Sequence, residues 1–313
     1  MKTTFKLGNV EFKNRVLVAS GTFGYGDEVA DSININGLGG LITKSLTPKP
    51  REGNPPSRIV ETASGMINSI GLANIGVEKF VEEKLPLLNN FDTVIVVNVA
   101  GSTVEEYCRV IEKLEQVEGI DAYEINVSCP NVKEGGLNFG TNVKATAEIT
   151  KEVRRRTMKP VIVKLTPNVT RVSEFGIAAE AEGADAVSLI NTLVGLAVDV
   201  KTRKPKISTV TGGLSGPAIK PVALAKVYEV VQALKIPVIG IGGIFTVEDA
   251  LEFLIVGAVA VQVGTANFID PASAIHIAEG IEKYCSENNI EDVQQIIGSL
   301  DTSTCIPIIK SWL

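Results

Sequence analysis

The sequence predicts an α/β protein, a (β/α)8 TIM barrel with a small N-terminal hairpin and long loops after strands 2, 4 and 6. Three observations support this prediction: eight short apolar runs occur along the 313 residues, helical patterns separate most of them, and most runs are apolar nearly throughout. Such runs are typical of parallel strands covered by helices. Eight strand–helix repeats indicate a closed barrel rather than an open sheet. We expect one domain over residues 1–313.

The strands are predicted where runs of four to six residues are bounded by Gly, Pro or Asn. In order, the runs are 16–20, 40–45, 93–98, 122–127, 161–165, 186–190, 238–241 and 260–263. Apolar residues at helical spacing predict helices over 104–117, 143–156, 173–182, 221–234 and 247–256. The pair Ser102-Thr103 is expected to cap the first of these helices.

Longer segments interrupt this regular alternation. Residues 3–12 predict a hairpin that turns at Gly8-Asn9 and closes the bottom of the barrel. Residues 47–72 and 192–216 follow strands 2 and 6, at the barrel end where active sites lie. In the loop after strand 4, Gly135-Gly136 would let the chain open and close over a substrate.

Composition excludes several classes of function. A net charge of −6 argues against nucleic acid as a main partner. Residues 1–8 are too polar for a secretory signal, and no apolar run approaches the ~18 residues of a membrane span, so we expect a cytoplasmic protein. The four cysteines form no CxxC pair, so we expect no metal or iron–sulfur site made by this chain alone.

The predicted strand ends carry polar side chains: Lys44, Lys164, Asn98, Asn126 and Asn191. Burying an ammonium without a partner is costly, and an anionic or electron-rich ligand would satisfy both lysines. Carboxamides suit a heterocycle with alternating C=O and N–H groups, such as a pyrimidine or an isoalloxazine. Alternatively, each Asn caps the helix that follows it.

The ends of strands 7 and 8 predict a phosphate site. They carry Gly242-Gly243 and Gly264-Thr265, and this is where barrels of this kind commonly bind phosphate. Glycine lets the backbone approach a phosphate closely, although tight turns alone would also explain it. Near a bound flavin, Lys164 would stabilise the negative charge that develops on reduction.

Residues 126–131 (Asn-Val-Ser-Cys-Pro-Asn) place a thiol beside this proposed pocket. A thiol can act as a base or as a nucleophile, and a nucleophilic Cys usually has a His partner. The single histidine, His276, lies in a late helical segment, so the sequence favours proton transfer by Cys129.

Together these residues resemble the dihydroorotate dehydrogenase family, and the match covers nearly the whole chain. The segments that carry the resemblance are 19–24, 43–45, 51–56, 68–72, 126–131, 213–217 and 241–244. The resemblance implies oxidation of (S)-dihydroorotate to orotate in pyrimidine (UMP) biosynthesis. Cys129 would remove the C5 proton, and hydride would pass from C6 to flavin N5. Lys44 and Lys164 would be further catalytic residues.

The resemblance also implies two sets of binding residues. FMN would contact Ala19, Ser20, Lys44, Ser45, Asn98, Asn126, Lys164, Ile190, Gly216, Gly242, Gly243, Gly264 and Thr265. The substrate would contact Lys44, Asn68, Gly71, Leu72, Asn126, Asn131, Asn191 and Thr192.

The subclass resembles the NAD-linked enzymes. The quinone-using class carries an N-terminal helical extension and a Ser base, whereas this chain has Cys129 and no such extension. Residues 21–26 and the pair Pro55-Pro56 are similar to the NAD-linked class. That class implies a partner subunit with FAD and a 2Fe–2S cluster, which joins a homodimer of this chain in a heterotetramer.

Other functions remain open from the sequence. One is the same oxidation with fumarate as acceptor and no partner. Another is a phosphate-binding lyase or isomerase in which Lys44 or Lys164 forms a Schiff base. A binding protein that keeps the fold without the chemistry is a further alternative. The apolar residues 300–313 are expected to pack on the barrel or on another subunit.

Overall fold

The computed structural model describes residues 1–128 and 139–305, in which eight parallel strands close into a barrel. This confirms the predicted TIM barrel, and each strand overlaps one predicted apolar run. In chain order, the barrel strands are β1 (Val16–Val18), β2 (Gly40–Ile42), β3 (Val94–Val99), β4 (Ala122–Asn126), β5 (Val161–Lys164), β6 (Ala186–Leu189), β7 (Val238–Ile241) and β8 (Ala260–Val263).

Helices follow seven of the strands and cover the outside of the barrel. A 3-10 turn, Ile35–Gly37, follows β1 instead. After β2 the chain runs through α-helical Val77–Lys79, a π-helical turn at Phe80–Lys84 and α-helical Leu85–Leu88. The remaining helices are Val104–Leu114, Val143–Arg154, Ser173–Ala181, Lys220–Val231, Val247–Ile255 and Ser273–Glu287. The five predicted helices are confirmed, and each ends one to three residues before its predicted end.

The bottom of the barrel is closed by the predicted hairpin. Its strands, Phe5–Leu7 and Val10–Phe12, pair antiparallel, and the Phe5 and Phe12 rings stack with centroids 4.5 Å apart. These side chains pack on the apolar residues at the lower end of the strands, such as Leu17 and Ile239. The hairpin thus buries apolar surface that the open end of the barrel would leave exposed to water.

The barrel interior changes from apolar to polar toward the carboxyl ends of the strands. Side chains two residues apart on a strand point to the same side. In β4, Ala122 lies in the lower apolar cluster and Glu124 is the next residue on that side. In β5, Lys164 likewise follows Ile162. The same pleat that fills the bottom with hydrocarbon therefore lines the upper end with polar groups.

A four-stranded antiparallel sheet, here called the roof sheet, lies over the carboxyl ends of the barrel strands. Its strands, in spatial order, are Leu193–Gly195, Gly212–Ser215, Gly65–Asn68 and Ile59–Thr62. The two central strands come from the long segments after β2 and β6, and they pair with Gly213 opposite Asn68. The two predicted loops therefore combine into one regular element.

Some predictions fall on residues 129–138 and 306–313, which lie outside the described residues. They include the opening of the loop at Gly135-Gly136 and most of the apolar tail. Within the described ranges, no helix has both the length and the apolar character required to cross a bilayer.

Candidate active site

A cavity of about 750 Å³ opens at the carboxyl ends of the barrel strands, next to the roof sheet. Most predicted site residues line it, although they come from distant parts of the chain. They are Ala19, Ser20, Lys44, Ser45, Asn68, Gly71, Leu72, Asn126, Lys164, Ile190, Asn191, Thr192, Gly216, Gly242, Gly243, Gly264 and Thr265. Parallel strands bring these residues together because all their carboxyl ends meet at one end of the barrel.

The two lysines have different surroundings. Lys164 is 4% exposed, and its Nζ lies 3.4 Å from Glu124 Oε1 and 3.3 Å from Ser20 Oγ. Lys44 has no ion pair within the described residues, and burial lowers the pKa of its ammonium, with a further lowering by the charge of Arg58. The expectation that both lysines need an external partner is therefore wrong for Lys164, which has a partner within the protein. Lys44 has no such partner among the described residues.

Sequence reasoning missed Glu124, which lies below the cavity wall and is fully buried. Its Oε1 accepts hydrogen bonds from Asn98 Nδ2 at 2.6 Å and Lys164 Nζ. Its Oε2 accepts from Ser188 Oγ at 2.8 Å and Gln262 Nε2 at 2.7 Å. A buried carboxylate is tolerated only when it is paired and hydrogen-bonded, and this one meets both conditions.

Asn98 belongs to this lower layer rather than to the cavity wall. Its side chain is fully buried, and its Nδ2 donates to Glu124. Its Oδ1 has no hydrogen-bond partner among the described groups. Contact between Asn98 and a cofactor therefore stays a prediction, and the structure places this residue one layer below the others.

The remaining asparagines present carboxamides to the cavity. Asn126 Oδ1 accepts from Ser128 Oγ at 2.6 Å. Asn191 Nδ2 donates to the same Ser128 Oγ, and Asn191 Oδ1 accepts from the Thr192 amide at 2.8 Å. Ser128 therefore fixes both carboxamides.

The alternative in which these asparagines cap the following helices is wrong. Thr103 caps the helix after β3, and Asn142 caps the helix after β4. The helix after β6, which begins at Lys220, has no side-chain cap.

Glycines shape the corner where β7 and β8 end. Gly242 and Gly243 have φ of 131° and 72°, a backbone region that other residues rarely adopt. Among the described atoms, a Cβ on Gly264 would meet Ala19 Cβ at 3.6 Å and Thr22 Cγ2 at 3.8 Å, which are ordinary van der Waals distances, so no close contact blocks this backbone. Thr265 Oγ1 donates to Ser215 Oγ at 2.8 Å and ties the corner to the roof sheet. An anionic group could approach the backbone closely here.

Two predicted site residues, Cys129 and Asn131, lie outside the described residues, so the structure does not locate them. The described chain approaches them at Ser128, which contacts both Asn126 and Asn191. Their roles rest on the sequence motif at residues 126–131.

Comparison with known proteins identifies the family. The model of the family described as dihydroorotate dehydrogenase matches residues 2–285. The chain belongs to the dihydroorotate dehydrogenase family. The resemblance inferred from the sequence is thus confirmed.

Several known proteins are more than 50% identical in sequence to this member of the dihydroorotate dehydrogenase family, over almost their whole length. A protein of Geotalea uraniireducens is 54% identical over 297 residues, which are 95% of this chain and 97% of that protein. A protein of Thermodesulfovibrio yellowstonii is 55% identical over 294 residues, 94% and 97% of the two chains. A third, from a Thermoanaerobacter species, is 53% identical over 300 residues, 96% and 99%. All three are named the catalytic subunit of dihydroorotate dehydrogenase B (NAD(+)).

Proposed function

We propose that this chain is the catalytic subunit of an NAD-linked dihydroorotate dehydrogenase that works in the cytoplasm. It would oxidise (S)-dihydroorotate to orotate in pyrimidine biosynthesis. One observation carries the proposal: Lys44, Lys164, Asn126 and Asn191 converge on a single cavity at the mouth of the barrel. These amines and carboxamides suit a ring with a carboxylate and imide-like edges. The names of the relatives support the same activity.

The cavity residues fit FMN, which when bound would supply the acceptor for the hydride from C6. The backbone of Gly264 lines the cavity beside Gly243 and Thr265, and these residues would hold the phosphate. Lys164 would face the pyrimidine edge of the flavin and stabilise the charge that develops there. The remaining cofactor contacts proposed above, other than Asn98, come from residues on the same cavity wall.

The substrate would lie against Lys44 and the carboxamides. Within the described chain, Lys44 carries a partly buried ammonium without a carboxylate partner, so a carboxylate on the substrate would supply one. Asn68, Asn131 and Asn191 would bind the polar edges of the ring. Cys129 would take the C5 proton as the C6 hydride leaves, so the substrate loses a proton and a hydride together.

Electrons would leave through a second subunit. The relatives are named catalytic subunits of an NAD(+) enzyme, which supports a separate partner. We propose that this partner carries FAD and a 2Fe–2S cluster, and that it joins a homodimer of this chain in a heterotetramer.

The direct test uses the purified full-length chain. We expect a yellow protein whose flavin absorbance bleaches on adding dihydroorotate without air. The isolated chain should not reduce NAD until the partner subunit is added. A protein that binds no FMN would contradict the proposal. Steady turnover of the isolated chain with fumarate would show that fumarate, and not NAD, is the electron acceptor. Inactivation and trapping of a lysine by borohydride would instead indicate Schiff-base chemistry.

Replacing Cys129 tests the proposed base. Cys129→Ser should slow flavin reduction by dihydroorotate at neutral pH by roughly 10²-fold or more, because a hydroxyl is a much weaker general base than a thiolate. Stopped-flow absorbance without air measures this rate. Cys305→Ser, which replaces an exposed thiol elsewhere, is the matched control and should leave the rate unchanged. Equal rates for Cys129→Ser and the unmodified chain would remove Cys129 from this role.

A further inference from the structure

We infer that Glu124 is a positioning residue that orients the Lys164 ammonium toward the cavity and partly offsets its positive charge. This inference rests on the proposed function. Glu124 does not line the cavity, whereas Lys164 does. The carboxylate therefore acts on a bound flavin through Lys164 and through its own field.

The position of Glu124 is fixed from several sides of the barrel. Its four described donors come from four different strands: Asn98 from β3, Lys164 from β5, Ser188 from β6 and Gln262 from β8. All four of these residues are at most 4% exposed. A carboxylate held from four directions has little freedom to move when a ligand enters the cavity, so its orientation is preorganised.

Lys164 has three N–H groups to place. One is directed to Glu124 and another to Ser20, at 3.4 Å and 3.3 Å. The third is left for the cavity that Lys164 lines. Glu124 therefore lies behind the ammonium as seen from the cavity, and its negative charge opposes the positive potential that a bound flavin experiences.

The charge of Glu124 can be removed without changing its shape, because the hydrogen-bond network contains acceptors for the amide group of a glutamine. Glu124→Gln keeps the shape and one oxygen, which can still accept from Asn98 and Lys164. Its new amide group needs acceptors, and Gln262 Oε1 is a buried oxygen without a hydrogen-bond partner among the described residues. Rotation of the Gln262 carboxamide would offer this oxygen, and the Ser188 hydroxyl can also accept. We therefore expect Glu124→Gln to fold.

The test is the midpoint potential of FMN bound to the full chain, measured by equilibration with redox dyes at the same pH for every variant. Glu124→Gln should raise this potential, because the ammonium is no longer opposed. A tenfold gain in the affinity for reduced over oxidised FMN corresponds to about 30 mV for a two-electron couple. Glu124→Asp, which keeps the charge, should restore a value near that of the unmodified chain.

Glu115→Gln is the matched control for loss of a lysine-paired carboxylate. Glu115 Oε1 binds Lys159 Nζ at 2.9 Å and Tyr123 OH at 2.6 Å, and it does not line the cavity. This variant should leave the potential unchanged. An unchanged or lowered potential in Glu124→Gln would overturn the inference. A change as large in Glu115→Gln would overturn it as well, because the effect would then not depend on position.

A second variant keeps the inference testable if Glu124→Gln fails to fold. Gln262→Leu removes one neutral donor to Glu124 and leaves the carboxylate charge in place. The less compensated carboxylate should lower the potential, which is the opposite sign. An unchanged or raised potential in Gln262→Leu would count against the inference. If the unmodified chain binds no FMN, the proposed function fails; if it binds FMN and these variants leave the potential unmoved, only the role of Glu124 fails.

Discussion

Lys44 combines a binding role with a cost to the fold. Burial lowers the pKa of its ammonium, and the charge of Arg58 lowers it further. The folded state therefore holds this proton less tightly than the unfolded state does. Stability then rises with pH between the lowered pKa and the ordinary lysine value, because the unfolded chain binds more protons in that window. Below the window, the full cost of the buried charge is present.

Replacing Lys44 with an apolar side chain should stabilise the FMN-free protein. We expect Lys44→Met to raise the free energy of unfolding at pH 7 by about 1 kcal/mol, since it removes a partly buried charge that has no ion pair within the described residues. The gain should shrink as the pH approaches that of an ordinary lysine pKa. Urea unfolding at several pH values measures it, with the exposed Lys201→Met as the control. A less stable Lys44→Met protein at pH 7 would contradict this account.

Individual site residues differ in how far the local sequence predicts their role. Lys44 and Lys164 could be predicted because each ends an apolar run, at the end of a barrel strand where ligands bind. Glu124 also lies within such a run, but its meaning depends on partners that come from other strands. Gln262, for example, is 138 residues away along the chain. No local pattern contains that information.

At the scale of elements, the roof sheet depends on close backbone contact between its two central strands. Gly65, with φ of 150°, lies against Ser215, and a Cβ there would overlap the Ser215 carbonyl oxygen. Ser215 in turn accepts the hydrogen bond from Thr265 at the corner of the cavity. A side chain at position 65 would therefore disturb both the pairing and the cavity wall.

Gly65→Ala should weaken substrate binding, because Asn68 and the Gly71-Leu72 pair follow directly in the same segment. It should also weaken FMN retention, because the new methyl group would meet Ser215 and Gly216. We expect KM for dihydroorotate to rise roughly tenfold, the equivalent of about 1.4 kcal/mol of lost binding. Steady-state kinetics give KM, and flavin absorbance gives the FMN content. Ser64→Ala, a change at the neighbouring exposed residue, should behave like the unmodified chain. An unaltered KM in Gly65→Ala would show that the roof sheet does not position the substrate.

The barrel strands and the roof sheet differ in how well the sequence predicts them. Each barrel strand is an apolar run, and burial of such a run is encoded locally. The roof strands are short and contain Gly212, Gly213 and Gly65, so they have weak strand propensity. They form because segments after β2 and β6 meet, and this pairing joins residues about 145 positions apart, such as Asn68 and Gly213. The sequence therefore indicates two long loops and no sheet.

At the scale of the whole molecule, the cofactor should strengthen the fold. The proposed FMN contacts that line the cavity include residues from the ends of β1, β2, β4, β5, β6, β7 and β8, so binding would link most of the barrel. With free FMN at 100 times its Kd, the apparent free energy of unfolding should rise by ~2.7 kcal/mol. Thermal unfolding with and without added FMN measures this effect.

Riboflavin, which lacks the phosphate, is the control ligand for this prediction. At the same concentration it should stabilise the protein less, because the corner at Gly243 and Gly264 would stay empty. Equal stabilisation by both ligands would argue against a phosphate site at that corner. Stabilisation by neither would argue against flavin binding altogether.

The shared roof has a consequence for anyone who exchanges parts between related enzymes. Since Gly65–Asn68 and Gly212–Ser215 hydrogen-bond to each other, neither segment has a complete set of backbone partners by itself. In a chimera that takes only one of these segments from a related enzyme, the two paired strands would no longer match each other, even if both original enzymes fold well. The two segments should therefore be transplanted together, and substitutions that alter substrate preference in one are expected to require accommodating changes in the other.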